Sequence, residues 1–250
     1  MKVTIITATR NNASTLDATI SSVMSQTHRD IDYIIIDGAS TDNSIDIIRT
    51  WQQRHPDKIR YISEPDSGVY NAINKGISMA QGDIIGILHG NDFFSSQFII
   101  ENIVQTMNDN NVKYIYGDVV YINNHSKKIV RYYSARHFSP QMLLMGIAPP
   151  HPSLYVRRDI FSFVGLYKED YLIGADFDFF IRLMLVKNIT GQYLPINMVT
   201  MTTGGLSTQF YHRIFTNNRE KYRALSENGF KINRFALLKR YFYIFKHLKH

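Results

Sequence analysis

Several kinds of structure are excluded by what the sequence lacks. The 250-residue chain contains no cysteine, which excludes disulfide bonds and thiolate metal sites. It has no run of about 18 apolar residues, the length that a membrane-spanning helix requires. Its first residues, MKVTIITATR, alternate as a β-strand does and do not form the apolar core of a signal peptide. We therefore expect a cytoplasmic protein whose chain does not cross a membrane.

Acidic residues are absent from the carboxyl end of the chain. The formal net charge is +7, and residues 230–250 contain six lysines and arginines but no aspartate or glutamate. The other 229 residues therefore carry a net charge of only +1. Because the excess positive charge is confined to this tail, we expect no domain-wide surface that binds nucleic acid.

The first 110 residues alternate between two hydrophobic periods. Four runs have the composition of buried strands, KVTIITAT, DYIIID, IRYIS and DIIGIL. Helical spacing follows each of them, and it predicts helices that begin at residue 14 and lie around 45–51, over 69–80 and over 96–107. This order predicts a parallel α/β sheet, in which ligands bind beyond the carboxyl ends of the strands. The turns TATRNN, DGASTD, SEPDSG and HGND should therefore converge on one site.

After residue 110 the pattern is less regular. KYIYGDVVYIN and KIVRYY predict two strands joined by a turn, and APPHPS predicts a stiff proline loop that enters a further strand. IGADFDFFIRLMLV predicts a turn followed by a helix. We expect one two-part domain, divided into residues 1–110 and 111–215, followed by a basic tail of residues 216–250.

Ordered motifs in the chain resemble one enzyme family. VTIITATRNNASTLDATISSVMSQTHRDIDYIIIDGASTDNS is similar to the opening of the inverting family 2 glycosyltransferases, which have the GT-A fold. SEPDSGVYNAINKGISMAQGDIIGILHGND, IGADFDFFIRL and GGLST resemble the branch that builds bacterial exopolysaccharide and O-antigen, of the colanic-acid type. The resemblance covers about residues 1–210. It implies an α/β GT-A fold, with a mostly parallel Rossmann-like sheet flanked by helices.

The resemblance also implies the reactants. The donor would be a nucleotide sugar held by residues 1–110, and the cofactor would be Mn²⁺ or Mg²⁺. Residues 111–215 would bind the acceptor and supply the catalytic base. We expect transfer of a hexose or N-acetylhexosamine from a UDP-sugar to a lipid-diphosphate-linked saccharide during surface polysaccharide synthesis. The alternatives are a dTDP- or GDP-sugar donor, another acceptor, or a noncatalytic relative that only binds a nucleotide sugar.

The HGND turn carries the predicted metal ligand. Asp92 offers a hard oxygen donor at the end of a strand, which suits Mg²⁺ or Mn²⁺. By resemblance, Asn91 stands where family members often have the acid that bonds the ribose, and an amide can also make that hydrogen bond. The role of His89 in this motif stays open, and a plain Gly-Asn turn without chemistry is the alternative for the whole stretch.

Other strand ends supply candidate nucleotide contacts. By resemblance, Asp37 is the acid that contacts the base, although it would also cap the following turn. Thr7 and Thr9 should line the base pocket, mainly through their backbone groups. Asp66 and Lys75 are candidates for the nucleotide and its phosphates, and each is equally explained as a turn or surface residue.

Asp176 and Asp178 compete for the role of catalytic base. Two residues apart on a helix, they lie roughly 200° apart around its axis and cannot both face one substrate. Asp178 lies four residues before Arg182, which predicts a helical ion pair. Asp176 aligns with the second acid of the family's Glu-Asp motif, whose first position is Ala175. We assign the base to Asp176, with N-capping of the helix as the alternative.

Weaker candidates lie further along the chain. His151, in the proline loop, would contact the acceptor or diphosphate, or would be satisfied by nearby backbone. Gly204 and Gly205 would allow backbone to approach phosphate in a closing loop. His212 would add a metal or diphosphate contact. In residues 230–250, aromatic and apolar residues at helical spacing alternate with basic ones, which predicts a helix that binds an anionic membrane peripherally or packs on the domain. The oligomeric state is not predicted.

Overall fold

The chain forms an α/β structure around a single sheet. The structure is a computed structural model and describes residues 1–109, 111–124, 126–203 and 210–231. Its strands are β1 Val3–Thr9, β2 Ile31–Asp37, β3 Ile59–Ser63, β4 Ile84–Ile87, β5 Asp92–Phe94, β6 Tyr114–Asn123, β7 Ile129–Tyr133, β8 Tyr155–Arg157 and β9 Gly191–Thr203. Its α-helices are α1 Ala13–Met24, α2 Ser44–Arg54, α3 Val69–Met79, α4 Ile99–Met107, α5 Arg158–Val164, α6 Ala175–Ile181 and α7 Phe210–Glu227.

The strand order is β3-β2-β1-β4-β8-β6-β9-β5, with β7 paired to β6. The strands β1, β2, β3 and β4 run parallel, so their carboxyl ends meet at one edge, as the sequence predicts. The strand β8 pairs antiparallel with both β4 and β6. Because β8 lies between them, the nucleotide-side strands and the later strands form one continuous sheet.

Helices cover both faces of the sheet. Alternate side chains of β1 and β2 enter two different cores because successive residues of a strand point to opposite faces. The core on one face contains residues of α1, α2 and α4, and the core on the other contains residues of α3, α5, α6 and α7. Strands buried on both faces explain the nearly continuous isoleucine runs of the sequence.

Several sequence-based boundaries are confirmed closely. The predicted helix over 69–80 is α3, Val69–Met79, and the hairpin predicted after residue 110 is β6 with β7. The proline loop leads into β8 through a 3₁₀ helix, His151–Ser153. The helix predicted over 96–107 starts later, at Ile99 in α4, because β5 uses Asp92–Phe94 and a turn follows it.

Two strands were not predicted. The strand β5 has three residues, and β9 contains Pro195, which cannot donate a backbone hydrogen bond. The register of β9 with β6 shifts between the pairs Tyr116↔Tyr193 and Asp118↔Asn197, so Pro195 lies in an irregular step of the ladder. A proline is tolerated at such a bulge.

The helix α3 is hydrogen-bonded to the segment that precedes α6. The buried Asn74 side chain accepts from the backbone N–H of Tyr167 at 3.1 Å and donates to its carbonyl at 2.8 Å. Asn74 and Asn71 also donate to the two carboxylate oxygens of Glu169, each at 2.9 Å. The nucleotide-side half and the predicted base segment are therefore joined by side chains.

The helix α7 supports α6 from the other side. The Glu220 carboxylate accepts from the backbone N–H groups of Leu172 and Ile173 at 2.7 and 2.9 Å. This helix, Phe210–Glu227, runs across the division between residues 215 and 216 that the sequence predicts. Among the described residues, no helix is long and apolar enough to cross a membrane.

Candidate active site

Two cavities share a wall at the carboxyl edge of the sheet. The strand-end cavity, about 440 Å³, is lined by Ala8, Thr9, Arg10, Asn12, Asp66, Gly68, Val69, Ala72, His89, Gly90 and Asn91. The proline-loop cavity, about 680 Å³, is lined by Val69, Tyr70, His89, Tyr121, Arg131, Tyr133, residues 146–152, Asp176, Met201, Asn217 and Lys221. Val69 and His89 line both, so ligands in the two cavities would meet at these residues.

The strand-end cavity contains several of the predicted nucleotide residues. Thr9, Asp66 and Asn91 line it, and Asp66 accepts from the backbone N–H of Gly68 at 3.1 Å. Gly90 must be glycine here, because a Cβ atom would stand 2.4 Å from the Thr9 hydroxyl oxygen. The backbone at Gly90 therefore packs directly against Thr9 in the cavity wall.

Asp37 and Thr7 lie beneath this cavity rather than in its lining. The fully buried Asp37 carboxylate accepts from the Ser40 backbone N–H at 3.0 Å, from the Ser63 hydroxyl at 2.7 Å and from the Ser40 hydroxyl. Thr7 is also fully buried, and its hydroxyl is 3.0 Å from that of Tyr33. In this structure the Asp37 side chain orders the turn after β2, which was the alternative interpretation of the sequence.

Lys75 is already paired with an acidic residue. Its ammonium group forms a salt bridge with Glu64 at 2.7 Å and lies 3.4 Å from the carbonyl of Pro65. Lys75 lines neither cavity. A phosphate contact by Lys75 would therefore require the salt bridge to break.

Asp92 is a buried carboxylate without a partner. It is fully buried at the start of β5, and neither carboxylate oxygen has a hydrogen-bond partner among the described residues. Burial raises the pKa of Asp92 to about 7. An unpartnered buried acid is costly unless an ion or proton satisfies it.

The unpartnered carboxylate of Asp92 is chemically suited to a divalent cation, but Asp92 itself lines neither cavity. In the described ranges, no three His, Cys, Asp or Glu residues cluster as a metal site, so Asp92 would be the protein's contribution. Mg²⁺ and related hard ions are commonly bound by one or two carboxylates together with substrate phosphates and water. Asn91, beside Asp92, lines the strand-end cavity, where a nucleotide would lie.

Asp176 lies at the first turn of α6 and lines the proline-loop cavity. Its carboxylate accepts from the backbone N–H of Phe177 at 2.7 Å. Burial raises its pKa, while the positive charge of Lys221 acts in the opposite direction. Tyr70 also lines this cavity; burial raises the pKa of its hydroxyl, and the backbone of Asp176 and Ala175 acts in the opposite direction. The Asp176 carboxylate therefore lines the cavity from the first turn of α6.

Asp178 has a structural environment. It is fully buried and forms salt bridges with Arg182 at 2.7 Å and Lys168 at 3.0 Å. The ion pair predicted from the spacing of Asp178 and Arg182 is thus confirmed. With both oxygens occupied by cations, Asp178 is unsuited to accept a proton from a substrate.

Two histidines stand near Asp176. The rings of His89 and His151 are 6.1 Å apart, and a ring nitrogen of His151 is 2.9 Å from the Tyr167 hydroxyl. Burial, the largest cause, lowers the pKa of each to about 4; for His89 the proximity of His151 acts in the same direction and Asp176 in the opposite one. Both are therefore neutral near pH 7 and can hydrogen-bond without adding charge.

Some residues that line the cavities were missed by the sequence analysis. Arg10 and Asn12 lie in the turn TATRNN after β1. The only sequence signal for them was the general expectation that ligands bind beyond the carboxyl ends of parallel strands. Arg131, Tyr121 and Lys221 line the proline-loop cavity, and no motif marks them. Their positions depend on strand register and helix packing. Gly204 and Gly205 lie outside the described residues, as does the side chain of His212.

This architecture defines a class of protein. An open α/β sheet whose cavities lie beyond the carboxyl ends of parallel strands has the arrangement in which such folds bind nucleotide-linked ligands. Residues 4–172 match the family model described as Glycosyl transferase family 2, and the chain belongs to this family. It is therefore a glycosyltransferase.

Relatives and solved structures agree with this assignment. A PGL/p-HBAD biosynthesis glycosyltransferase of Mycobacterium bovis is 27% identical over 213 residues, which cover 84% of this chain and 81% of that protein. An uncharacterized glycosyltransferase of Mycobacterium tuberculosis is 30% identical over 187 residues, 74% of this chain and 69% of that one.

The fold is also that of solved glycosyltransferases. S. aureus TarS 1–349 has a TM-score of 0.71 at 13% identity, with 97% of this chain and 72% of that chain covered. The mannosyltransferase PcManGT of Pyrobaculum calidifontis, in complex with GDP-Man and Mn²⁺, has a TM-score of 0.65 at 16% identity. The match covers 90% of this chain and 63% of PcManGT. The expected GT-A fold is confirmed, whereas the relatives do not bear out the O-antigen or colanic-acid branch in particular.

Proposed function

We propose that this glycosyltransferase moves a hexose or N-acetylhexosamine from a UDP-sugar to a lipid-diphosphate-linked saccharide, with inversion at the anomeric carbon. The acceptor would belong to bacterial surface polysaccharide synthesis. One observation carries the proposal: the cavity formed by the strand ends and the cavity that contains Asp176 meet at Val69 and His89. A donor in the first would present its sugar to an acceptor in the second.

Asp176 would act as the general base. Its carboxylate faces the proline-loop cavity, where it would take the proton from the acceptor hydroxyl as that oxygen attacks the sugar. Its raised pKa makes it a stronger proton acceptor than an ordinary aspartate. His89 and His151 lie close to this reaction path and are neutral. Neither therefore forms an ion pair that would weaken Asp176 as a base.

The nucleotide would occupy the strand-end cavity. Asp66 and Thr9 would lie against the base and ribose, and the Asn91 amide would bond the ribose hydroxyls. Asp92 would hold Mn²⁺ or Mg²⁺, because its unpartnered carboxylate fits a hard cation. When bound, such a cation supplies neutralisation of the leaving diphosphate.

Solved structures of similar fold support the choice of donor class. TarS 1–349 has been solved in complex with UDP-GlcNAc, and PcManGT with GDP-Man and Mn²⁺. Both donors are nucleoside-diphosphate sugars. The relative from Mycobacterium bovis is a PGL/p-HBAD biosynthesis glycosyltransferase, so acceptors from that kind of pathway belong in the same screen as lipid-diphosphate saccharides.

A donor screen tests the proposal. The chain would be incubated with UDP-, dTDP- and GDP-sugars in Mn²⁺ or in EDTA, and release of nucleoside diphosphate would be measured. We expect turnover of a UDP-sugar that EDTA abolishes. Binding of nucleotide sugars without any turnover would instead support the noncatalytic alternative.

Substitution of the base tests its role. Asp176→Asn should lower turnover at least about 100-fold, because a positioned base typically contributes about 10²- to 10⁴-fold. Donor affinity, measured by calorimetry, should be unchanged. Asp159→Asn is the matched control, since Asp159 also lies in the first turn of a helix but is exposed. Undiminished turnover in Asp176→Asn would contradict the assignment.

A further inference from the structure

We propose that Arg131 binds an anionic group of the acceptor, a phosphate or a carboxylate, in the proline-loop cavity. This inference rests on the proposed function, because it takes that cavity as the acceptor site. It adds a residue and a ligand chemistry that the family motifs do not mark.

The first observation is that Arg131 lacks an acceptor within the described structure. Five arginines are half-buried there. Four of them bond carboxylates or backbone carbonyls: Arg60, Arg157, Arg182 and Arg223. The fifth, Arg131, has no salt bridge in the described ranges, and its Nε is buried without a hydrogen-bond partner. A guanidinium in that state is available to an anion from outside the chain.

The second observation is that the guanidinium is held in place. Its central carbon lies 5.7 Å from the ring centroid of Tyr121 and 5.1 Å from that of Tyr133. The Tyr133 hydroxyl donates to the carbonyl of Ala148 at 2.8 Å, which anchors one of these rings to the proline loop. Cation–π contacts of this kind orient the planar group, so less entropy is lost when it binds. Arg131 and both tyrosines line the cavity.

The third observation is that Arg131 lies apart from the strand-end cavity, where the donor is proposed to bind. One row across four neighbouring strands contains Arg131, Tyr121, Met201 and Asp92. At about 4.8 Å per strand, the backbone of Arg131 lies about 14 Å from that of Asp92, with β6 and β9 between them. Arg131 also does not line the strand-end cavity. Its anion should therefore come from the acceptor and not from the donor diphosphate.

Guanidinium is suited to both candidate anions. Phosphate and carboxylate each present two oxygens that match its fork, and such charge-assisted bonds are about twice as strong as neutral ones. The phosphate would come from a lipid diphosphate, and the carboxylate from an acidic sugar. Lys221 lines the same cavity and adds positive charge, although its ammonium already donates to the Gly146 carbonyl at 2.6 Å.

Binding of small probes tests the inference without knowledge of the acceptor. Phenyl phosphate, benzoate and phenyl β-glucoside would be titrated into the full chain without metal, and the dissociation constants measured by calorimetry. We expect at least one of the two anions to bind more tightly than the neutral glucoside. The preferred anion distinguishes a phosphate source from a carboxylate source.

Variants assign the binding to the residue. Arg131→Gln should weaken binding of the preferred anion at least about tenfold, since a hydrogen bond to a charged group contributes roughly 1.5–3 kcal/mol. The anion affinity of Arg131→Lys should lie between those of the wild type and Arg131→Gln. Lysine keeps the positive charge but loses the planar set of N–H donors of the guanidinium. Arg136→Gln, at an exposed arginine close by in sequence, should bind as the wild type does. UDP affinity in Mn²⁺ should be unchanged in all three.

Three outcomes would overturn the inference. They are a wild-type chain that prefers neither anion, an Arg131→Gln variant that binds the anion equally well, and a variant that loses UDP affinity instead. The proposed function fails by a different measurement. Absence of donor turnover together with Arg131-dependent anion binding would reject the function and keep the anion site. Turnover that depends on Asp176, without anion binding, would support the proposed function and reject the anion site.

Discussion

Asp92 is a residue whose burial is costly to the fold and for which we propose a role in binding the cation. Its carboxylate is fully buried and has no partner among the described residues, so the metal-free protein bears the cost of desolvating it. The sequence identified Asp92 from its place in a motif, but it gave no indication of this burial. Side-chain burial follows from β5 pairing with β9, two strands that the hydrophobic pattern does not reveal.

Asp92→Asn should therefore separate stability from metal binding. We expect the melting temperature of the metal-free protein to rise in buffer above pH 7, because burial raises the pKa of Asp92 to about 7 and its carboxylate is charged there without a partner. Mn²⁺ should raise the melting temperature of the wild type and leave that of the variant unchanged. Thermal unfolding with and without Mn²⁺ makes the measurement.

The control is the neighbouring position. Asn91→Asp places an acid in the strand-end cavity and should keep both the Mn²⁺-induced stabilisation and donor turnover. A Mn²⁺-induced rise in Asp92→Asn equal to that of the wild type would show that the cation binds elsewhere.

At the scale of elements, α3 connects the two cavities. It begins at Val69 in their shared wall, and its next residue, Tyr70, stacks on Tyr167 with ring centroids 6.1 Å apart. The backbone of Asp176 and Ala175, at the start of α6, is close enough to the Tyr70 hydroxyl to act on its pKa. We therefore expect a side chain of the nucleotide-side half to help orient the helix that carries Asp176.

Tyr70→Phe should lower kcat about tenfold and leave the donor KM unchanged. The lost hydroxyl lies close to the backbone of Asp176, so its removal should let the start of α6 shift, and small displacements of a catalytic group are costly in rate. Steady-state kinetics separate the two parameters.

Tyr171→Phe is the matched control, because its hydroxyl bonds Glu227 at 2.9 Å and it lines neither cavity. Wild-type kcat in Tyr70→Phe, or an equal loss in both variants, would contradict a positioning role.

The elements differ in how far the sequence predicts them. The strands β1 to β4 were predictable because each is a long isoleucine-rich run followed by helical spacing. The 13-residue β9 was not, because Pro195 interrupts its pattern at a register shift. For the site, Asp176 and Asp66 follow from motifs, and both line the cavities. Arg131 could not be predicted as a site residue. The alternation of residues along β7 shows which face of the sheet Arg131 is on, but it does not show which strand lies beside β7.

At the scale of the whole molecule, charge is distributed unevenly. The basic residues of 230–250 lie mostly outside the described residues, so their role stays a sequence-based prediction. A basic segment with aromatic residues would hold the enzyme at an anionic bilayer, where a lipid-linked acceptor would be concentrated.

Liposome flotation tests this prediction. We expect the full chain to float with phosphatidylglycerol vesicles and a chain that ends at residue 229 to remain in the soluble fraction. High salt should release the full chain, because the attraction is screened. Vesicles of neutral lipid are the control, and equal flotation of both chains on anionic vesicles would indicate that the tail packs on the domain instead.

The hydrogen bonds between Asn74 and residues 167–169 have a consequence for cooperativity. Opening the segment before α6 to solvent breaks the bonds to Tyr167 and Glu169, so this segment and α3 belong to one unfolding unit. If the nucleotide binds against Val69 as proposed, it should stabilise that unit by mass action. Amide hydrogens around Asp176 would then exchange more slowly with donor bound, although the donor does not touch them. The acceptor side would be most ordered when the sugar to be transferred is already in place.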